Sequence, residues 1–149
     1  MSARSGKNVD VQNWGVECFR YDDRGSAQRE RISKMDIVGR ARCLVWGPYA
    51  PLSPGRWMAT AKFSMDEWAC RHQFAIEFGS KSNYSRHEFR AAKPGIFEFD
   101  IEFEATDNEK VELRLIVNQS SLGGEFEFLG AKIARQSSAV SVNEIVPSA

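Results

Sequence analysis

Ile96-Phe97-Glu98-Phe99-Asp100-Ile101-Glu102-Phe103-Glu104 decides the fold class of this chain. Phe97, Phe99, Ile101 and Phe103 fall on one side, and Glu98, Asp100, Glu102 and Glu104 on the other. Successive side chains of a strand point to opposite faces, so strict two-residue alternation predicts a β-strand with one buried and one wet face. Val111, Leu113, Leu115 and Val117 repeat the rhythm, with Glu112 and Arg114 turned outward. Asp107-Asn108 between the two runs supplies turn chemistry, and the pair reads as a hairpin.

The same rhythm spreads in both directions from this pair. Trp57, Ala59, Ala61 and Phe63 share one face, opposite Arg56, Thr60, Lys62 and Ser64. Phe74, Ile76 and Phe78 alternate with Gln73, Ala75 and Glu77, and residues 84–90 form a polar strand suited to a sheet edge. Residues 41–46 are apolar enough to be covered on both faces. Phe126 and Phe128 alternate with Glu125 and Glu127, after which Leu129, Ala131 and Ile133 carry the apolar face. Such a phase shift predicts a bulge near Gly130. An early strand is expected over 15–21. About eight short strands separated by Gly, Pro, Asn and Ser turns predict an all-β fold, an antiparallel β-sandwich of jelly-roll kind with little helix. Only 26–35 and 64–68 offer a helical turn, and no internal repeat is evident. Residues 1–12 read as a flexible arm, 13–135 as a single domain and 136–149 as a flexible tail.

The bulk properties fit one domain. The 149 residues are 42% hydrophobic and 11% aromatic, enough to fill a core. Twenty basic residues balance twenty acidic ones. A binder of nucleic-acid backbones needs an excess of Lys and Arg, so no nucleic-acid partner is expected. Cys18, Cys43 and Cys70 are odd in number and widely spaced, neither a disulfide framework nor a zinc site. They read as free and mostly buried thiols in a reducing compartment. The first ten residues lack an apolar core of the kind a signal peptide has, and no apolar run reaches the length of a membrane span. A cytoplasmic location is the default expectation.

Catalytic chemistry is hard to place on this sequence. His72 and His87 fall on separate strands, too few and too far apart for a metal cluster. Neither a nucleophile elbow nor a metalloprotease helix motif occurs, and Gly123-Gly124 marks a turn instead of a phosphate-cradling loop. The row Glu98, Asp100, Glu102 and Glu104 could supply a glycosidase pair in principle, but it reads as a solvated strand face. The chain is therefore expected to bind and not to catalyse.

Binding chemistry has better candidates. A sugar offers C–H patches to an aromatic ring and hydroxyls to Arg, Asn, Asp or Glu. Trp46-Gly47-Pro48-Tyr49-Ala50-Pro51-Leu52-Ser53-Pro54-Gly55-Arg56-Trp57 reads as a stiff loop that displays three aromatic rings. Trp57, in phase with Ala59 and Phe63, is expected to plug the core. Trp46, at the end of an apolar strand, either plugs the core or stacks on a ligand. Tyr49, between two prolines, is the best placed to be exposed. Trp68, in the polar context Asp66-Glu67-Trp68, is a loop-tip ring or a lid, and Trp14 is expected to pack. Arg114 stands outward on a strand that should be central. It is either in a cross-strand ion pair with the acidic row containing Glu102 or forked toward the oxygens of a ligand. Arg42, Arg86 and Arg90 could share that second role.

The run Gly47 to Trp57, with Leu52-Ser53-Pro54-Gly55-Arg56-Trp57 at its end, is followed later by Val111-Glu112-Leu113-Arg114-Leu115. Together they resemble a pattern of galactose-binding-like jelly rolls and carbohydrate-binding modules, in which a glycine-proline-aromatic loop leads into a strand and a late strand carries an arginine. The resemblance covers roughly residues 40–134. It implies a saccharide or glycan partner, held by loops at one end or by a concave sheet face. Some such domains carry a structural calcium ion. Here Glu17 is a lone candidate ligand, so no cofactor is expected.

These readings converge on a non-catalytic carbohydrate-binding module. Trp46, Tyr49 and Trp68 are the candidate stacking rings, and Arg42, Arg114 and Glu102 the candidate hydrogen-bonding groups. A protein-interaction or assembly module on the same scaffold is the alternative, signalled by an exposed apolar patch of a few hundred Å². A small hydrolase or lyase using two carboxylates in a deep pocket is the third.

Overall fold

The computed structural model describes residues 10–81 and 83–136. Most of the arm and nearly all of the tail expected from the sequence lie outside the described residues. Ten strands follow one another: β1 (Val11–Trp14), β2 (Arg20–Tyr21), β3 (Lys34–Asp36), β4 (Arg42–Leu52), β5 (Gly55–Met65), β6 (Phe74–Ser80), β7 (Asn83–Phe89), β8 (Gly95–Ala105), β9 (Glu109–Val117) and β10 (Glu125–Arg135). Three short 3-10 turns complete the described chain. One sheet, here sheet A, has the order β1-β10-β5-β8, with β3 also paired to β10. Sheet B has the order β2-β4-β9-β6-β7. All pairings are antiparallel, and the fold is the β-sandwich that the alternation predicts.

Phenylalanine fills the space between the sheets. Phe63 and Phe126 from sheet A meet Phe74 and Phe89 from sheet B in a closed set of rings, with successive centroids 5.6–5.9 Å apart. Ring pairs at this spacing add stabilisation beyond the area they bury. Ile101 and Phe103 of β8 are buried, and Phe97 and Phe99 pack against the same core from nearer its edge. Trp57 is fully buried, its indole N–H donating to the Ser53 carbonyl at 2.9 Å, and Trp14 is buried as well. The bulge in β10 lies between Phe128 and Gly130, where the phase shift put it.

Several expectations are corrected. The Asp107-Asn108 turn does not close a hairpin: β8 pairs with β5 in sheet A, and β9 pairs with β4 and β6 in sheet B. Both strands need a buried face, and each finds it by joining a different layer of the sandwich. The stiff loop from Trp46 to Trp57 is mostly strand, because β4 runs through Pro51 and leaves only Ser53-Pro54 between strands. The early strand breaks around a 3-10 turn at Val16–Cys18, between β1 and β2. The segment 26–35 makes one 3-10 turn at Ser26–Gln28 and then enters β3, while 64–65 finish β5. Among the thiols only Cys70 is buried; Cys43 is half-buried and Cys18 exposed.

Candidate functional site

Antiparallel partners share a face of the sheet, so register alone assembles a row across sheet B. Arg20 opposes Trp46, Trp46 opposes Arg114, Arg114 opposes Glu77, and Glu77 opposes Arg86. Their neighbours in sequence, Val45, Leu113, Leu115, Ile76 and Phe78, are buried in the core, so the row lies on the outer face. Pro48 opposes Glu112 in the next row, and Tyr84 opposes Gly79 beside it.

Arg114 is the centre of a bonded network on this face. Its Nε donates to Glu112 Oε1 at 2.8 Å and its Nη1 to Glu77 Oε1 at 3.2 Å. The guanidinium carbon sits 4.1 Å from the centroid of the Tyr84 ring, and the Tyr84 hydroxyl donates to Glu112 Oε1 at 2.9 Å. Glu77 Oε2 accepts from Arg86 at 2.6 Å, and Arg86 also donates to Glu88 at 3.2 Å. Glu112 is only 5% exposed, so removing Arg114 would strand a buried carboxylate. Burial lifts the Tyr84 phenol above its ordinary range, with Arg114 pulling down and Glu112 adding to the rise. Burial opposes the Arg114 charge, but Tyr84 and Glu112 hold it protonated.

The structure brings together two of the six residues singled out in sequence. Trp46, half-buried, and Arg114 are direct cross-strand neighbours. Tyr49 is 53% exposed and lies in a bulge of β4, between the Pro48–Glu112 and Ala50–Val111 pairs. It is on the same strand as Trp46. Arg42 is not beside them and clamps neighbouring backbone. It pairs with Asp22 at 3.0 Å and donates to the carbonyls of Asp36, Ile37 and Arg40. Glu102 is on the other sheet, opposite Met58, so the acidic row does not face Arg114. Trp68 is 53% exposed on a loop between β5 and β6, with Arg71 stacked at 4.7 Å from its ring.

Glu77, Glu112 and Tyr84 were not singled out as site residues. For Glu77 and Glu112 the signal is present in the alternation, since each stands outward on a strand whose other face is apolar; Tyr84 is on a strand polar on both faces, and nothing local marks it. What the sequence lacks is the strand order that makes Glu77 a neighbour of Arg114. The calcium site of some similar folds does not fit here. Among the described residues no group of three or more His, Cys, Asp or Glu side chains converges, and Glu17 is a lone exposed acid. No helix among the described residues is long and apolar enough to cross a membrane.

No family model matches the chain, and no curated protein matches it in sequence. Solved structures do match it. A chain of the Glycosylation Associate Protein (Gap123) complex from Streptococcus agalactiae overlays with a TM-score of 0.55 at 8% identity, over 84% of this chain and 25% of that one. This chain thus spans a quarter of the length of the Gap123 chain. TmCBM61, solved in complex with β-1,4-galactotriose, overlays with a TM-score of 0.50 at 8% identity, over 89% of this chain and 93% of that one. A family 16 carbohydrate-binding module overlays at 0.48 and 13% identity, over 68% and 74% of the two chains. At these identities the likeness is one of fold alone: the chain shares a β-sandwich with TmCBM61.

Proposed function

We propose that this chain is a non-catalytic saccharide-binding domain whose binding surface is the outer face of sheet B. The observation that carries the reading is the cross-strand pair of Trp46 and Arg114, with the guanidinium fixed from behind by Tyr84, Glu112 and Glu77. An aromatic ring beside fixed polar groups answers both halves of sugar chemistry, the C–H patch and the hydroxyls. Trp46 Nε1 makes no hydrogen bond to another described residue, which leaves a donor for a ligand. The outward residues of β5 and β8 on sheet A include no aromatic ring, which favours sheet B. Glu77 and Glu112 are both engaged by Arg114, an arrangement suited to holding a guanidinium and not to delivering a proton. The fold adds support for the ligand class, since TmCBM61 was solved with a β-1,4-galactotriose.

The test is a glycan array together with titrations of β-1,4-galactotriose and soluble plant polysaccharides. Wild type would be compared with Trp46→Ala, Tyr49→Ala, Trp68→Ala and Arg114→Lys, the last keeping the charge but losing the fork. Binding to at least one glycan is expected, weakened about tenfold or more by Trp46→Ala and Arg114→Lys, less by Tyr49→Ala and not by Trp68→Ala. Absence of binding to every glycan, or equal binding by all four variants, refutes the reading.

A further inference from the structure

Trp46 has an arginine on each side. Arg20 of β2 opposes it on one flank and Arg114 of β9 on the other. Neighbouring strands lie about 5 Å apart, so the two arginine backbones stand about 10 Å apart with the indole between them. Arg20 turns outward because its neighbours turn inward. Phe19 is buried and Tyr21 packs on the core, both against Phe128. The Tyr21 hydroxyl donates to the Val16 carbonyl at 2.7 Å, and the Asp22 amide to the Leu44 carbonyl at 3.0 Å. The backbone that carries Arg20 is thus held on both sides, while the side chain itself is exposed.

The charges on this face differ in what they leave open to a ligand. Its outward carboxylates, on β6, β7 and β9, are Glu77, Glu88 and Glu112. Arg86 and Arg114 hold all three: Glu77 accepts from both, Glu88 from Arg86 and Glu112 from Arg114. The other outward cations are Arg20 on β2 and Lys110 on β9, and among the described residues neither has a carboxylate partner. Arg114 Nη2 is also left without a partner among the described residues, since its bonds to acids use Nε and Nη1. The accessible charge on both sides of the ring is therefore positive, although the whole chain has a formal net charge of zero.

A ring stacked on an indole directs its substituents sideways, here toward the two flanking strands. A hydroxyl gives a guanidinium one neutral acceptor. A carboxylate gives it a counter-charge and two parallel acceptors that match its fork, and such bonds are the stronger ones. A neutral sugar would use Trp46 and Arg114 and leave Arg20 without a counter-charge. A sugar that carries a carboxylate on its ring edge uses all three.

We infer, resting on the sugar reading, that the ligand is an acidic saccharide. A uronic-acid residue stacks on Trp46, and its carboxylate takes the Arg20 guanidinium. Arg20 is then the side chain that selects acidic over neutral sugar, whereas Arg114 serves either.

The test compares matched saccharides on the intact chain. Oligogalacturonate, oligomannuronate and glucuronoxylan fragments are each titrated beside their carboxyl-reduced, neutral forms at low and high salt. At least one acid form is expected to bind about tenfold or more tighter than its reduced form, with the difference shrinking at high salt. Arg20→Gln is expected to bring that ratio close to unity, and Arg20→Lys, which keeps the charge without the fork, to a value in between. Lys62→Gln, which removes the same charge from the outward face of β5 in the other sheet, is expected to leave the ratio unchanged. An unchanged thermal unfolding midpoint verifies the fold of each variant. Reduced forms that bind as well as the acids overturn the inference and leave the sugar reading intact. So does an Arg20→Gln variant that keeps the preference, or a Lys62→Gln variant that loses as much of it. A sulfated galactan that binds more tightly than every uronate, or polyglutamate that competes as well as a uronate, overturns it too. Absence of binding to every saccharide, acidic or neutral, ends both readings.

Discussion

Arg114 shows what a single residue can and cannot announce. Its outward orientation was legible, because Leu113 and Leu115 on either side demand the core. Its partners were not, because they depend on which strand lies next to β9. The acids close in sequence, Glu98 to Glu104, are on the other sheet, while the acid that matters on the neighbouring strand, Glu77, is 37 positions away. The partner of Arg42 was hidden for a similar reason, since nothing local marks Asp22. The cysteines permit a direct check at this scale. Burial pushes the Cys43 thiol up to about 12, with Arg114 and a backbone hydrogen bond from Val45 pulling the other way, and Cys70 is buried in the core. Thiolate is the reactive form. A thiol-reactive chromogenic reagent at pH 8 is expected to modify one equivalent quickly, at Cys18, and the other two only in denaturant. Fast reaction of two or three equivalents would contradict the burial seen here.

At the scale of elements, β4 is the instructive strand. Two prolines and a glycine between Trp46 and Leu52 read as a loop, yet the backbone stays extended and paired with β9. Proline is tolerated in a strand where its missing N–H faces an open edge. β2 pairs with β4 only at Val45 and Trp46, so beyond that point the second edge of β4 has no partner strand among the described residues. The bulge there turns Tyr49 to φ +65°, a conformation unfavourable for a bulky side chain. Tyr49→Gly is therefore expected to keep stability within about 1 kcal/mol, while Tyr49→Val costs about 1–2 kcal/mol, measured by urea unfolding. A Tyr49→Val variant as stable as wild type would contradict the bulge. The strands with unbroken alternation, β5, β6 and β8, and the two halves of β10 on either side of its bulge, were legible because a buried face imposes the period. Their assignment to two sheets was not, since the same alternation serves either layer.

At the scale of the molecule, stability should fall on the alkaline side. Burial, with Glu17 and Cys18 adding to it, holds the Tyr21 phenol well above its ordinary value of 10.0, and its hydroxyl donates to the Val16 carbonyl at 2.7 Å. Cys43 is raised from 9.0 in the same sense. An acid whose pKa is higher folded than unfolded contributes stability that is complete below the unfolded value and is lost as pH rises toward the folded one. The thermal midpoint is expected to be flat from pH 7 to about 8.5 and to decline from about pH 9 upward, with Tyr21→Phe reducing the decline. The fold as a whole was readable because phenylalanines facing inward and charges facing outward fix a sandwich. The proposed binding face was half readable, because choosing between two wet faces requires knowing which rings share one. Nitrogen-edited NMR of the four tryptophan indole groups, titrated with a glycan identified on the array, tests that choice directly. The Trp46 indole signal is expected to shift, with those of Trp14 and Trp57 in the core and Trp68 at the far loops unmoved; a shift of Trp68 with Trp46 unchanged would place the sugar elsewhere and contradict the assignment to sheet B.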